Sequence, residues 1–138
     1  MKVENAVMPS PEQAMGFFGA PEDGPFVMVN LLKFKARAEY EDGSDSHLSG
    51  ADAYARYGAE VRRLIEGLGG KIRYQGQVSG LLLGDVEELW DVVALAEYPS
   101  LAAFQAMATS PAMHAIEHHR KAGLAGQLNI RTKPGEGF

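Results

Sequence analysis

Three of the chain's four histidines, His114, His118 and His119, crowd into residues 114–120 together with Arg120, and they concentrate the capacity for proton transfer and anion binding in one stretch. Placed on a helix at about 100° per residue, residues 112–121 centre their apolar side on Met113 and Ile116. Arg120 falls near that centre and His119 at its edge, whereas His114 and His118 fall on the solvent side with Lys121. The i, i+4 spacing of His114 and His118 is one that zinc sites use. No Glu follows His114 as the metalloprotease pattern requires, and no third ligand is evident, so a solvated helix face is the simpler reading. Arg120 and His119 have a different prospect beside an apolar cleft, because a guanidinium clamps carboxylates and an imidazole moves protons near neutral pH. The sequence therefore predicts His119 as a catalytic acid or base and Arg120 as the substrate-binding cation. The structural alternative pairs Arg120 with Glu97 or Asp91 and has His119 cap carbonyls near a helix end.

Asn30, Tyr57 and Trp90 complete the predicted binding set. Asn30 interrupts an otherwise apolar run, and a buried amide must find hydrogen-bond partners in a ligand or in the backbone. Lys33, three residues on, belongs to the opposite face of a regular strand and reads as a snorkelling strand-end residue. Tyr54 and Tyr57 share an apolar helical stripe, from which a hydroxyl reaches either a cleft or bulk water. Trp90, the only tryptophan, opens a strand, where it stacks on a planar ligand or packs at the rim of a contact between subunits. Arg73 reads as an exposed edge residue. There is no Gly-rich phosphate loop, no G-x-S-x-G elbow and no acidic cluster suited to Mg²⁺. Nucleotide hydrolysis and serine hydrolase chemistry are disfavoured, and no cofactor or metal is expected.

The elements that must position these groups fit one domain: 138 residues, 46% apolar and 22% charged, are ordinary for a soluble globular chain. A net charge of -5, with basic residues clustered only at 62–63 and 118–121, argues against a nucleic-acid partner. The absence of cysteine excludes disulfides, thiolate metal sites and a Cys nucleophile, and it is compatible with a cytoplasmic protein. Residues 1–8 lack the apolar core of a signal peptide. The longest apolar runs, 81–83 and 92–96, are far short of the roughly 20 residues of a membrane span, so no membrane partner is expected.

Ser10-Pro11-Glu12-Gln13 opens a helix over 10–19 as N-cap, first-turn proline and capping-box glutamine. Alternation predicts a strand over 26–34, apolar on both faces. Residues 35–48 lack periodicity and read as a functional loop, a lid or a dimer arm. Ser49 caps a second helix running to about Leu68, stopped by Gly69-Gly70. A strand over 71–78, bulged at Gly76, leads through a connection turning near Gly84-Asp85 to a strand over 90–97. Ser100 starts a helix that Ser110-Pro111 restarts and Gly123 ends, before a last strand over 127–132 and a frayed tail over 133–138. This order, β-α-β-β-α-β after a leading helix, is the ferredoxin-like α+β arrangement with a four-stranded antiparallel sheet. Two helices cover only one sheet face. The other either packs against its copy in an isologous homodimer or is covered by the leading helix.

At Tyr54-x-x-Tyr57, Gly69-Gly70, Trp90, Tyr98-Pro99-Ser100, Phe104, Ser110-Pro111 and Arg120 the chain resembles the domain of unknown function 1330 family of the dimeric α/β-barrel superfamily. The likeness covers about residues 50–132. Met113 departs from it, standing where that family more often has an aromatic residue. The resemblance implies a ferredoxin-like subunit, a dimer with facing sheets and a cleft between sheet and helices. It implies no activity, because the superfamily holds cofactor-independent monooxygenases, lactone isomerases, haem proteins and non-catalytic members. Two readings follow: a cofactor-independent oxygenase or isomerase acting on a small aromatic or carboxylated compound, or a non-catalytic dimeric binding or structural module.

Overall fold

The computed structural model describes residues 1–20 and 24–135 of the chain. Its elements are α1 (Pro11–Phe18), β1 (Phe26–Phe34), α2 (Gly50–Gly67), β2 (Lys71–Gln77), β3 (Val92–Tyr98), α3 (Leu101–Ala108), α4 (Pro111–Gly123) and β4 (Leu124–Thr132). Four serines start the four helices. Ser10, Ser49, Ser100 and Ser110 each accept a hydrogen bond from the backbone N–H three residues on, satisfying a donor the first turn leaves free. Ser10 and Ser49 complete capping boxes with Gln13 and Asp52.

The strands form one antiparallel sheet in the order β2-β3-β1-β4, which is the ferredoxin-like topology. Alternation decides its faces. Phe26 and Met28 on β1 and Ala96 and Tyr98 on β3 point to the helices, packing with Ile65 of α2, Met107 of α3 and Met113 of α4. Val27, Val29 and Leu31 point the other way, in register with Glu97, Leu95 and Val93 of β3 and with Thr132, Ile130 and Leu128 of β4. All four helices lie on the first face. The leading helix does not fold over the second one, because the Phe17 ring meets Phe26 and Phe104 at 6.2 and 5.6 Å on the helix side. The sheet is therefore open, with an apolar outer surface.

Some boundaries differ from the sequence reading. The bulge of β2 lies at Arg73, between Ile72 and Tyr74, rather than at Gly76. Gly76 instead leaves room for the Tyr74 ring, which a Cβ there would strike. The third strand begins at Val92 rather than residue 90, and β4 begins at Leu124 because the chain passes from α4 into the sheet without a loop. Residues 3–8 were given no structure by the sequence, yet Ala6 bridges Gln127 at the free edge of β4. Of the tail, residues 136–138 lie outside the described residues.

Residues 35–48 contain no helix or strand. The loop folds back on α2 and α4, burying Ala38 against Ala53 and Ala122. Its ends meet: Lys35 donates its N–H to the Gly123 carbonyl at 2.8 Å, and its own carbonyl accepts from Gly50 at 3.1 Å. Here α2 and α4 approach so closely that a Cβ on Gly50 or Gly123 would collide with backbone, so only glycine fits at either position.

Candidate functional site

A row of polar side chains crosses the helix side of the sheet. Arg120 of α4 donates from Nη1 to Glu117 at 3.0 Å and from Nη2 to the Gln127 carbonyl oxygen at 2.7 Å. Gln127 of β4 donates in turn to the side-chain oxygen of Asn30 on β1 at 2.9 Å. Asn30 closes the row by donating to the carbonyls of Met28 and Ala94, both at 3.3 Å. The Arg120 and Glu117 side chains are only 15% and 25% exposed, so the ion pair is shielded, and each charge would be costly without the other. No buried side-chain polar atom among the described residues lacks a partner.

Three tyrosines converge on this row. Tyr54 and Tyr57 of α2 lie with ring centroids 5.3 Å apart, Tyr54 against Phe34 at the same distance, and Tyr98 of β3 stacks on Phe26 at 5.4 Å. Burial pushes the Tyr54 phenol up to about 12, offset by the Arg120 charge and reinforced by that of Glu117. Tyr57 and Tyr98 are raised further, again chiefly by burial, and both respond to the charge on Tyr54. The Arg120 charge is felt at Tyr54 and Tyr57, and that of Tyr54 at Tyr57 and Tyr98. None of the three hydroxyls has a hydrogen-bond partner in the protein, and none is fully sealed from solvent.

His119 faces elsewhere. It lines an open groove of about 600 Å³ between the 35–48 loop and α4, shared with Tyr40, Asp45, Arg56 and His118. The Tyr40 hydroxyl lies 2.7 Å from His119 Nδ1 and accepts from Arg56 at 3.3 Å. With the ring hydrogen on Nε2, Nδ1 accepts the Tyr40 proton; with it on Nδ1, the ring donates to the same phenol oxygen. Burial, then the neighbouring His118 and Arg56 charges, lowers the His119 pKa, while Asp45 opposes them. The neutral form of His119 is thereby favoured. Glu117 borders both this groove and the Arg120 row.

The five predicted site residues thus divide. Arg120, Asn30 and Tyr57 come together, while His119 turns to the loop. Trp90 donates to Asn5 at 2.6 Å, and Asn5 lies against Gly126, which is in register with Lys33 on the outer face. The structural partners anticipated for Arg120 are taken by others: Glu97 binds Arg73 at 2.6 Å and Asp91 binds Lys33 at 3.5 Å. His119 caps no helix-end carbonyl, because Tyr40 holds Nδ1. Sequence reasoning passed over Tyr98, Glu117 and Gln127. The i, i+3 spacing of Glu117 and Arg120 was the visible signal for one of them. His114 and His118 are exposed, and among the described residues no group of three or more His, Cys, Asp or Glu side chains is placed to hold a metal. No helix among those residues is long and apolar enough to cross a membrane.

An open four-stranded antiparallel sheet with its helices on one side defines a ferredoxin-like α+β protein. The chain belongs to the family described as a domain of unknown function (DUF1330), whose model matches residues 44–132. It is similar to the RPA0582 protein in two crystal structures. The methylated protein is 39% identical with a TM-score of 0.88, covering 96% of each chain. The other, a protein of unknown function from Rhodopseudomonas palustris, is 37% identical with a TM-score of 0.87, covering 97% of this chain and 100% of that one. A protein from Arabidopsis thaliana shares the fold at 16% identity and a TM-score of 0.52, over 83% of this chain and 98% of that one. No curated protein matches.

Proposed function

We propose that this is a cytoplasmic homodimer that binds a small organic molecule between the sheet and helices α2 and α4 of each subunit. The observation that supports the binding site is a group of tyrosines on the helix side of the sheet, Tyr54 packed on Tyr57 at 5.3 Å and Tyr98 on Phe26, whose hydroxyls have no protein partner and two of which feel the Arg120 charge. A pocket with aromatic walls and a few convergent polar groups is the usual form of a small-molecule site. The pairing of subunits is supported by the apolar outer sheet face, which no described helix covers. Binding is favoured over proton-transfer catalysis in the cleft, because phenols raised this far keep their protons near neutral pH. A compound-library thermal-shift comparison of the wild type with Tyr57→Phe tests this. A ligand that stabilises the wild type and loses most of that effect in the variant supports the site, and equal stabilisation of both rejects it.

The chain Arg56, Tyr40, His119 favours a second reading, acid–base chemistry in the adjoining groove, with His119 as the proton carrier. Unchanged turnover of a substrate by His119→Ala would eliminate that reading.

A further inference from the structure

The hydrogen-bonding capacity left open in the cleft points to the kind of molecule it takes. Both Asn30 amide hydrogens are engaged, its oxygen accepts from Gln127, and the Gln127 oxygen accepts from Arg120. What remains is the three phenol hydroxyls, the second amide hydrogen of Gln127, the Glu117 oxygen that Arg120 does not bind and those Arg120 N–H groups that neither Glu117 nor Gln127 uses. This remainder is rich in donors. Its charge is already balanced, because Arg120 is neutralised by Glu117 across 3.0 Å in a shielded setting. A carboxylate or phosphate entering here would bring a second anion beside Glu117 and lose its own hydration without an unpaired cation in return. A cation would meet only the Glu117 carboxylate, whose charge Arg120 already balances. The walls, Tyr54, Tyr57, Tyr98 and Phe34, are aromatic planes, which favour flat partners.

Building on the cleft as the binding site, we infer that its ligand is an uncharged, planar compound carrying carbonyl or hydroxyl oxygens, held by phenol hydroxyls, with Arg120 as a positioning residue rather than an anion anchor. This departs from the carboxylated substrate that Arg120 suggests when read from sequence.

A matched probe set on one ring system tests the inference: a methyl naphthyl ketone, a naphthoate and an ethylnaphthalene. Each is titrated into the full-length protein carrying isotope-labelled tyrosine rings. Of the five tyrosines, Tyr54, Tyr57 and Tyr98 report the cleft, and Tyr40 and Tyr74 serve as references outside it. The ketone should shift the three cleft signals and bind about tenfold more tightly than the naphthoate or the hydrocarbon, about 1.4 kcal/mol. Glu117→Gln should reverse the order of ketone and naphthoate by releasing the Arg120 charge. If the naphthoate binds the wild type as tightly as the ketone at the same tyrosines, the inference falls while the cleft stands as a site. If Glu117→Gln folds and gains no naphthoate affinity, the charge-balance argument is overturned. If no probe shifts the three signals, the inference and the proposed binding site fall together.

Discussion

Arg120 and Asn30 sit on different elements and never touch; the Gln127 side chain joins them, accepting from one at 2.7 Å and donating to the other at 2.9 Å. A buried amide used in both directions aligns α4 with the centre of the sheet, and it fixes the guanidinium that borders the cleft.

Gln127→Leu should remove both contacts at a position only 8% exposed, leaving an Arg120 N–H and the Asn30 oxygen unpaired. A loss of about 2–3 kcal/mol is expected in urea unfolding. A change below about 0.5 kcal/mol, the range of ordinary surface substitutions, would show that the row adds little to the fold.

Gly123→Ala should cost about 3 kcal/mol, because a methyl group there meets the Gly50 carbonyl across the α2–α4 contact and backbone cannot move as a side chain can. Thermal melting beside Gly58→Ala provides the comparison, since a Cβ at Gly58 meets nothing. Similar melting temperatures in the two variants would contradict the close approach.

Acidification should weaken the loop through His119. Its pKa is lowered in the folded chain, so the unfolded chain takes up the proton first. Stability is therefore full above the ordinary histidine value, falls as the pH drops below it, and levels off beneath the folded value. His119→Asn keeps an acceptor for Tyr40 without a titrating ring. Melting temperature against pH should fall less steeply in this variant between about pH 7 and pH 5, where an ordinary histidine titrates. Parallel curves would remove His119 from the acid response.

Ile130→Glu should separate the proposed dimer and spare the subunit. Ile130 is 47% exposed on the outer sheet face, in register with Val29. A carboxylate there costs the isolated chain little but would be desolvated in a sheet-to-sheet contact. Sedimentation at micromolar concentration should give a dimer for the wild type and a monomer for the variant. A monomeric wild type would end the dimer proposal.

The parts of this fold that local chemistry controls were legible in the sequence. The serine caps, the alternating strand from Phe26 to Phe34 and the glycine stops carry their instructions within a few residues. The cleft is harder to read because it is assembled by register. Gln127 meets Asn30 only because β1 and β4 pair antiparallel, and Tyr98 meets Phe26 only because β3 pairs with β1. Helical phase brought Arg120 to the sheet correctly. The direction of His119, at the edge of that phase, is decided by Tyr40, which belongs to a loop without periodicity.

The tie between Trp90 and Asn5 gives the molecule a built-in optical reporter. As the only indole in the chain, Trp90 supplies essentially all of the tryptophan emission, and its Nε1–H is held by a residue next to the segment bridged to β4. Its emission therefore senses whether the first residues remain seated on the sheet edge. Peeling that segment away hydrates the indole and shifts its light to the red, while events at the tyrosines behind the sheet pass almost unseen in that channel.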